Sequence, residues 1–343
     1  MPRILIAGAG VAGSYLWRLL VSKGMDPEDI RIVDPGSRTR CGIAPCAFGI
    51  TRQFFPLCRE VGLDPDKYIL AIPPVGYLNR MKLDVKGLMF SIDKPALIRD
   101  LLEGATINSS PSEMAADRII DATGTARAYI GKYEKDVLYP CIQRKVEFSQ
   151  PSELREYNHH VGYSWIFPLE GNCAHIGIGS CTYDTETMKK VIEELAQGGK
   201  TICSCKGYIR GTGLILPLVR GNVWAVGEAG GIVEPISGAG IVPAIESAKL
   251  LLEHWDNPGG YEAAITKKYG WFRKTSALLQ EWQDKGNLNV RKLMGLWKEC
   301  AELAGLEPGI SNLVRANLLR KNIARVVLQF AGVRELFKNA QRS

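Results

Sequence analysis

The chain has 343 residues, of which 46% are apolar and 23% are charged, a composition typical of a globular protein. This composition excludes a disordered chain, a collagen-like repeat and a simple coiled coil. The formal net charge of +7 is concentrated in residues 310–343, where seven Lys and Arg side chains accompany one acid, Glu335. The rest of the chain is close to neutral, so we expect no nucleic-acid partner, which would need a broad basic face.

The nine cysteines and four histidines show no spacing typical of a metal site. No CxxC pair occurs, and no histidine falls at zinc-ligand spacing from a cysteine. We therefore expect no metal, and we predict reduced thiols in a cytoplasmic protein. Glycines interrupt the N-terminal apolar run, and no window of about 18 uninterrupted apolar residues occurs, so neither a signal peptide nor a membrane span is expected.

The N-terminal residues have the pattern of a βαβ unit, with elements predicted at residues 3–7, 14–23 and 30–33. Between the first strand and the helix lies a GxGxxG motif made of Gly8, Gly10 and Gly13. The first glycine makes a tight turn, the second lets a pyrophosphate approach the backbone, and the third lets helix and strand pack closely. Asp34 ends the second strand, where a carboxylate can accept hydrogen bonds from ribose hydroxyls. The sequence therefore predicts a dinucleotide site whose phosphates meet the helix N-terminus.

Two later segments predict a second cradle for the same ligand. Residues 118–124 form a predicted strand that ends in an Ala-Thr-Gly turn. Residues 222–241 contain a strand, a Gly-Glu turn and a glycine-rich loop, which leads into a helix predicted over residues 242–254. Two cradles suit a long ligand held at both ends, which favours FAD over NAD.

Five blocks make the chain similar to the FAD-dependent geranylgeranyl reductase family, of the digeranylgeranylglycerophospholipid reductase type, which shares the para-hydroxybenzoate hydroxylase fold. Four blocks are residues 8–14, Arg40-Cys41-Gly42, the Ala-Thr-Gly turn, and the Gly-Glu block that ends at Ile241. The fifth is the YxWxFP and GxG signature, present as Tyr163, Trp165, Phe167, Pro168, Gly177 and Gly179. The resemblance covers about residues 1–255, and the C-terminal third matches only as generic helix.

The resemblance implies an α/β fold with a Rossmann-like FAD-binding domain of the glutathione reductase or para-hydroxybenzoate hydroxylase type. An antiparallel β-sheet substrate domain is expected as an insertion, followed by C-terminal helices. The boundaries expected are 1–128 and 214–258 for the FAD-binding domain, 129–213 for the sheet and 259–343 for the helices. Pro258-Gly259-Gly260 is predicted to be a linker between the last two.

One non-covalently bound FAD per chain is implied, because no flavinylation motif is evident. The resemblance assigns the following residues to this cofactor: Gly8, Gly10, Ala12, Gly13, Asp34, Arg40, Cys41, Gly42, Lys94, Ala122, Gly124, Gly227, Glu228, Gly238, Ala239, Gly240 and Ile241. Two of them depart from the family pattern. Glu228 is one methylene longer than the usual Asp, and Lys94 replaces an Arg, so a point charge stands where relatives have a planar fork.

Tyr163, Trp165 and Phe167 alternate along a predicted strand and therefore share one face of it. Taken alone, such a stripe is more typical of a protein core than of a ligand site. The resemblance implies instead that these residues line an apolar cavity for a prenyl chain, together with Pro168. In that cavity, Gly177 and Gly179 are expected to leave open space for a closely passing ligand.

The activity implied is saturation of isolated double bonds in geranylgeranyl or other polyprenyl chains of lipid precursors or prenylquinones. Cys41, or a water near the loop 238–240, is the candidate proton donor, and the electron donor is either ferredoxin or NADPH. One alternative is a flavin-dependent monooxygenase or halogenase of the same fold, against which the YxWxFP block argues. Another is a non-catalytic prenyl-binding escort protein, against which the intact glycines and Asp34 argue.

Residues 310–343 have the pattern of a basic amphipathic helix. Six apolar side chains fall on one stripe at 100° per residue: Leu319, Ile323, Val326, Phe330, Val333 and Phe337. Arg320, Arg334, Lys338 and Arg342 cluster beside it. Such a helix can lie in the headgroup plane of an anionic membrane, so a peripheral membrane contact is predicted. Packing of the same stripe on the protein itself is the alternative.

Overall fold

The computed structural model describes residues 3–36, 46–78, 81–110, 116–148, 153–159, 161–196 and 198–285, and six single positions between 289 and 303. Arg40, Cys41 and Gly42 therefore lie outside the described residues, as does the segment 310–343. None of the helices in the described part of the chain has the length and apolar character needed to cross a bilayer.

The described residues form sixteen strands: β1 (Ile4–Ala7), β2 (Ile30–Val33), β3 (Gly49–Thr51), β4 (Ile69–Ala71), β5 (Val75–Leu78), β6 (Met81–Asp84), β7 (Met89–Ile92), β8 (Ile107–Asn108), β9 (Arg118–Asp121), β10 (Leu138–Glu147), β11 (Leu154–His159), β12 (Gly162–Pro168), β13 (Cys173–Ser180), β14 (Lys200–Arg210), β15 (Val219–Arg220) and β16 (Val223–Ala225). They also form seven α-helices: α1 (Val11–Ser22), α2 (Phe54–Glu60), α3 (Lys94–Leu101), α4 (Thr185–Leu195), α5 (Ile241–Glu253), α6 (Pro258–Tyr269) and α7 (Phe272–Lys285).

The predicted βαβ unit is confirmed and forms the centre of a six-stranded sheet with the order β15-β16-β9-β1-β2-β8. All strands of this sheet run parallel except β15, which is antiparallel to β16. β1 lies between β2 and β9, and its four side chains are all buried, which explains its uninterrupted apolar sequence. Because parallel strands end at the same edge of a sheet, the turns after β1, β9 and β16 meet there.

Two helices bring the two predicted cradles side by side. α1 and α5 pack against each other, and each begins directly after a glycine, Gly10 for α1 and Gly240 for α5. Their shared interface is apolar, with Leu16 and Ile245 among the fully or almost fully buried side chains. The N-termini of both helices therefore point to the edge where the strand turns meet.

The predicted antiparallel insertion is confirmed as a seven-stranded sheet with the order β14-β10-β13-β12-β11-β5-β6. Five of its strands come from the segment that the sequence predicts to be strand-rich. β5 and β6 come from earlier in the chain, within residues 1–128, and they extend the sheet because β5 pairs in parallel with β11. The sequence did not predict this addition.

The two faces of the seven-stranded sheet have different neighbours. On one face, Met188 and Ile192 of α4 pack on apolar side chains of β10 and β13, such as Ile176. On the other face, Trp165 and Phe167 form a cluster that reaches toward the small sheet β3-β7-β4. The second face is therefore turned toward the part of the chain that holds the glycine-rich turns.

The predicted linker at Pro258-Gly259-Gly260 is wrong, because these residues form the first turn of α6. Asn257 caps this helix, and its Oδ1 accepts a hydrogen bond from the Gly260 backbone at 2.9 Å. Tyr261, fully buried, follows at once and donates its hydroxyl to the Ala225 carbonyl at 2.7 Å. α6 and α7 thus continue the main hydrophobic core.

Candidate functional site

The three glycines of the first turn differ in what surrounds them. Gly8 has a φ of 105°, and a Cβ there would lie 2.4 Å from the Ala122 carbonyl oxygen. A Cβ on Gly13 would lie 2.0 Å from the Gly8 carbonyl oxygen, so the close packing of helix and turn requires glycine. A Cβ on Gly10 would meet no atom within 4 Å. The fold itself therefore requires Gly8 and Gly13, whereas Gly10 borders open space at the N-terminus of α1.

Asp34 is tied to the same turn by its carboxylate. Its Oδ2 accepts a hydrogen bond from the Ala9 backbone at 2.6 Å, and its Oδ1 accepts one from Gly36 at 2.7 Å. Each carboxylate oxygen has a second lone pair, so Asp34 can hold the turn and still accept from a ligand hydroxyl. The structure thus brings Asp34 to the glycine turn, as the βαβ pattern predicts.

The Ala-Thr-Gly turn after β9 is held by Asp121, a residue that sequence reasoning did not select. Its fully buried carboxylate accepts hydrogen bonds through both oxygens. Oδ1 receives the Thr123 amide and hydroxyl at 3.1 and 2.6 Å, and Oδ2 receives the Tyr129 and Ile130 amides at 2.9 and 2.8 Å. These bonds fix Ala122 and Gly124 beside the first glycine turn.

Arg210, at the end of β14, connects the large sheet to both turns of the second cradle. Its side chain is fully buried and pairs with Asp136 at 2.8 Å. It also donates to the carbonyls of Gly124 at 3.1 Å and of Thr125 at 2.8 Å, and to the carbonyl of Glu228. Burial raises the pKa of Asp136, but hydrogen bonds from Arg210 and Thr212 outweigh this and hold it below the usual value. Nothing in the sequence distinguished this arginine from a surface residue of a strand.

Glu228, in the Gly-Glu turn, reaches both the end of β14 and the Ala-Thr-Gly turn. Its Oε1 accepts a hydrogen bond from the Arg210 backbone at 3.0 Å, and its Oε2 would lie 3.6 Å from a Cβ at Gly124. Burial raises the pKa of this carboxyl above its usual value. The extra methylene relative to Asp therefore lets the side chain reach β14 while one oxygen stays at the Ala-Thr-Gly turn.

Lys94 is the first residue of α3, which Asp93 caps by accepting the Ala96 amide at 3.0 Å. Its charge offsets part of the rise that burial causes in the pKa of Glu228, and it adds to the lowering of the pKa of His175. His175 is 4% exposed, and burial lowers its pKa to about 4. The histidine is therefore neutral near pH 7, and Lys145 and Lys94 are two cations close enough to act on it.

The YxWxFP residues do not all line a cavity. Trp165 and Phe167 are buried, and the Trp165 indole donates to Gln143 at 3.3 Å. A Cβ on Gly177 would lie 2.2 Å from the Trp165 ring, so this glycine makes room for the indole. The prediction that Gly177 leaves open space for a ligand is wrong, because its cross-strand partner fills that space. Trp165 and Phe167, with the buried Pro168 that ends β12, therefore pack in the protein core, which is the alternative that the sequence pattern left open.

Tyr163 and Gly179, by contrast, line a narrow cleft. Its walls are the large sheet, the loop before α5 and helix α7, with the lining residues Tyr139, Gly162, Tyr163, Gly179, Ser180, Cys181, Ile209, Pro235, Ile236, Gly238, Leu279 and Trp282. Tyr163 donates its hydroxyl to the Ser237 carbonyl, and so joins the sheet to the loop. The sequence predicted Tyr163, Gly179 and Gly238 as site residues but not the contribution of α7.

The buried pair of Arg210 and Asp136 yields a stability prediction. Replacing Arg210 with Met removes the guanidinium partner of Asp136, which keeps its hydrogen bond from Thr212, and takes one donor from each of three backbone carbonyls. We expect the free energy of unfolding to fall by about 3 kcal/mol or more in urea titrations. Arg144→Met is the matched control, since its partner Glu193 is exposed, and it is expected to cost less than about 1 kcal/mol. Equal losses in the two variants would contradict the role given to Arg210.

Comparisons with known proteins support the resemblance at low identity. No protein-family model matches the chain. It is 25% identical over 321 residues to digeranylgeranylglycerophospholipid reductase 2 of Methanosphaera stadtmanae, with 78% of this chain and 81% of that protein covered. A digeranylgeranylglycerophospholipid reductase of Picrophilus torridus is 24% identical over 312 residues, with 73% of this chain and 76% of that protein covered.

Solved structures show the same architecture. A geranylgeranyl bacteriochlorophyll reductase-like protein from Thermoplasma acidophilum has a TM-score of 0.66 at 17% identity, with 88% of this chain and 96% of that chain covered. A probable FAD-dependent monooxygenase from Pseudomonas aeruginosa has a TM-score of 0.63 at 14% identity, with 87% and 99% covered. The chain therefore has the para-hydroxybenzoate hydroxylase-like fold of FAD-dependent oxidoreductases.

Proposed function

We propose that this chain is an FAD-dependent reductase that saturates isolated double bonds of geranylgeranyl or other polyprenyl chains in lipid precursors or prenylquinones. The observation that carries the proposal is that two glycine-rich cradles meet at the edge of one sheet, with an apolar cleft beside the second. The similarity to digeranylgeranylglycerophospholipid reductases over most of the chain supports the same substrate class.

The described residues fit FAD. Open space beside Gly10 at the N-terminus of α1 suits a pyrophosphate, which gains from the positive end of a helix. Asp34 retains acceptor capacity for the adenosine ribose, and Glu228 is placed at the second cradle for the ribityl chain. Gly240 at the N-terminus of α5 would face the ring end of the cofactor. Ala12, Ala122, Gly227, Ala239 and Ile241 complete the proposed set, since they lie in or next to the same turns and helix N-termini.

The chemistry requires a proton as well as an electron pair. When bound, a reduced flavin would supply a hydride for the double bond, so the protein would have to place a proton donor at the second carbon. An isolated alkene has no carbonyl to stabilise a carbanion, so protonation has to accompany hydride transfer. The apolar walls of the cleft would orient the chain and exclude water during this step. His175 is a poor candidate for the acid, because its low pKa leaves it neutral. Cys41, which lies outside the described residues, or a water near the loop 238–240 stays the proposed donor.

A flavin-dependent monooxygenase is the second candidate function. The same fold and nearly the same TM-score are found in the probable monooxygenase from Pseudomonas aeruginosa. The two activities differ in their use of oxygen, since only the monooxygenase consumes oxygen in proportion to product.

The remaining partners are proposals of the same kind. Ferredoxin or NADPH would supply the electrons. The sequence contains no second nucleotide fingerprint, so it does not favour NADPH over ferredoxin.

A cytoplasmic protein with this substrate class would meet a membrane surface, and the basic segment 310–343 is the proposed contact. The contact would be supported if the protein cosediments with anionic vesicles and if added salt weakens this binding.

Gly10 offers a direct test of the first cradle. In Gly10→Val the new Cβ would meet no protein atom within 4 Å, so we expect the chain to fold while the side chain blocks the pyrophosphate. We expect the flavin absorbance per chain to be lost, while the melting temperature equals that of the unmodified protein stripped of its flavin. Gly259→Val, at an exposed position in α6, should keep its flavin. Retention of flavin by both variants would refute this placement of the cofactor.

The substrate is tested by mass spectrometry of lipids from cells that express the protein with a low-potential reductant. Each saturated double bond should add about two mass units to a polyprenyl lipid, because one hydride and one proton are added. Cells that express Gly10→Val provide the control. Unchanged lipids in the phospholipid, diphosphate and quinone classes alike would contradict the proposal.

A further inference from the structure

The loop of residues 234–240, which leads into α5, is joined to the large sheet by a side chain of β12. Tyr163 donates its hydroxyl to the Ser237 carbonyl. A Cβ on Gly238 would lie 2.9 Å from the same hydroxyl, so the loop can come this close because residue 238 is glycine. The φ of 68° at Gly238 favours glycine as well. The loop and the tyrosine therefore fit each other closely.

The loop is braced from within by Glu234. Its Oε2 accepts three hydrogen bonds, from the Ile236 amide at 3.1 Å and from the Ser237 amide and hydroxyl at 2.6 and 2.7 Å. Its backbone amide donates to the Ala239 carbonyl at 3.0 Å, and its carbonyl accepts from the Gly238 amide at 2.9 Å. A loop braced in this way moves as one piece, so a contact at one residue fixes the position of the whole loop.

Tyr163 is itself firmly seated on the sheet. Its ring packs on the buried Trp165, with 5.4 Å between the ring centroids. The Trp165 indole is held in turn by its hydrogen bond to Gln143 at 3.3 Å. Burial raises the pKa of the Tyr163 phenol well above its usual value, so the hydroxyl keeps its proton and stays a donor. The sheet thus presents a fixed donor to the braced loop.

The loop carries the N-terminus of α5 with it. Gly240 is the N-cap of this helix and follows Ala239 directly, and among the described residues no side chain caps it. The first N–H groups of a helix have no partner within the helix, and they form its positive end. A shift of the loop would therefore move these N–H groups, which are the groups that the proposed function turns toward the ring end of FAD.

We propose that Tyr163 is a positioning residue for the cofactor, because its hydrogen bond to the Ser237 carbonyl sets the distance between the large sheet and the N-terminus of α5. This role rests on the proposed function in one respect, the binding of FAD. It differs from the role of a prenyl contact, which the aromatic ring would supply without its hydroxyl.

The variant Tyr163→Phe keeps the ring and removes the hydroxyl. The flavin-loaded full chain is diluted, and the fluorescence of the released FAD gives the dissociation constant. We expect this constant to rise about fivefold, the effect of losing one hydrogen bond. The midpoint potential of the bound FAD should become more negative, because the displaced helix end stabilises the negative charge of the reduced cofactor less well.

Tyr15→Phe is the matched control, because it removes a bond of the same kind. Tyr15 lies in α1, is 1% exposed and donates its hydroxyl to the Leu57 carbonyl at 3.0 Å. That bond ties α1 to α2 and does not involve the loop before α5. The control should therefore keep both the dissociation constant and the midpoint potential of the unmodified protein.

An unchanged dissociation constant and an unchanged potential in Tyr163→Phe would overturn the proposal. Equal shifts in Tyr163→Phe and Tyr15→Phe would overturn it as well, since a general loss of stability would then explain both. Neither readout requires reduction of a double bond, so the outcome is separable from that of the proposed function. The expected shifts in a chain that saturates no polyprenyl lipid would refute the reductase and retain the role of Tyr163.

Discussion

The buried guanidinium of Arg210 is the group on which the arrangement of the site depends. A charged side chain with no exposed surface has to be fully paired, and Arg210 achieves this with Asp136 and the carbonyls of Gly124, Thr125 and Glu228. These partners belong to the end of the large sheet and to both turns of the second cradle. One side chain thus sets the distance between the sheet and the edge where the glycine turns meet.

The two faces of the large sheet have different neighbours: α4 covers one, and the small sheet and the cleft border the other. α4 covers one face with aliphatic side chains, so that face needs no further partner. On the other face the buried Trp165 and Phe167 act as spacers against the small sheet, and Tyr163 lies at the border of the cleft. Gly177 and Gly49 serve this packing, because each would collide with an aromatic ring if it had a side chain. The signature is therefore largely structural, with two residues, Tyr163 and Gly179, at the cleft.

The parts of the fold that could be predicted from the sequence are those specified locally. The βαβ unit and its glycines have fixed spacing, and Gly8, Gly13 and Asp34 have the contacts that this spacing implies. Long-range features were missed: the pairing of β5 with β11, and the partners of Arg210 and Asp121, depend on segments far apart in sequence. Pro258 to Gly260 were misassigned because proline and glycine are typical both of linkers and of the first turn of a helix.

The proposed function requires that the chain with bound flavin reduces an isolated double bond without consuming oxygen. The most direct measurement is an anaerobic single turnover, in which the flavin of the purified chain is reduced chemically and then mixed with geranylgeraniol. The account predicts that the flavin reoxidises at a rate that depends on the alcohol, and that the product is heavier by about two mass units for each turnover. A flavin that stays reduced until oxygen is admitted, followed by a product heavier by about sixteen mass units, would contradict it and identify a monooxygenase.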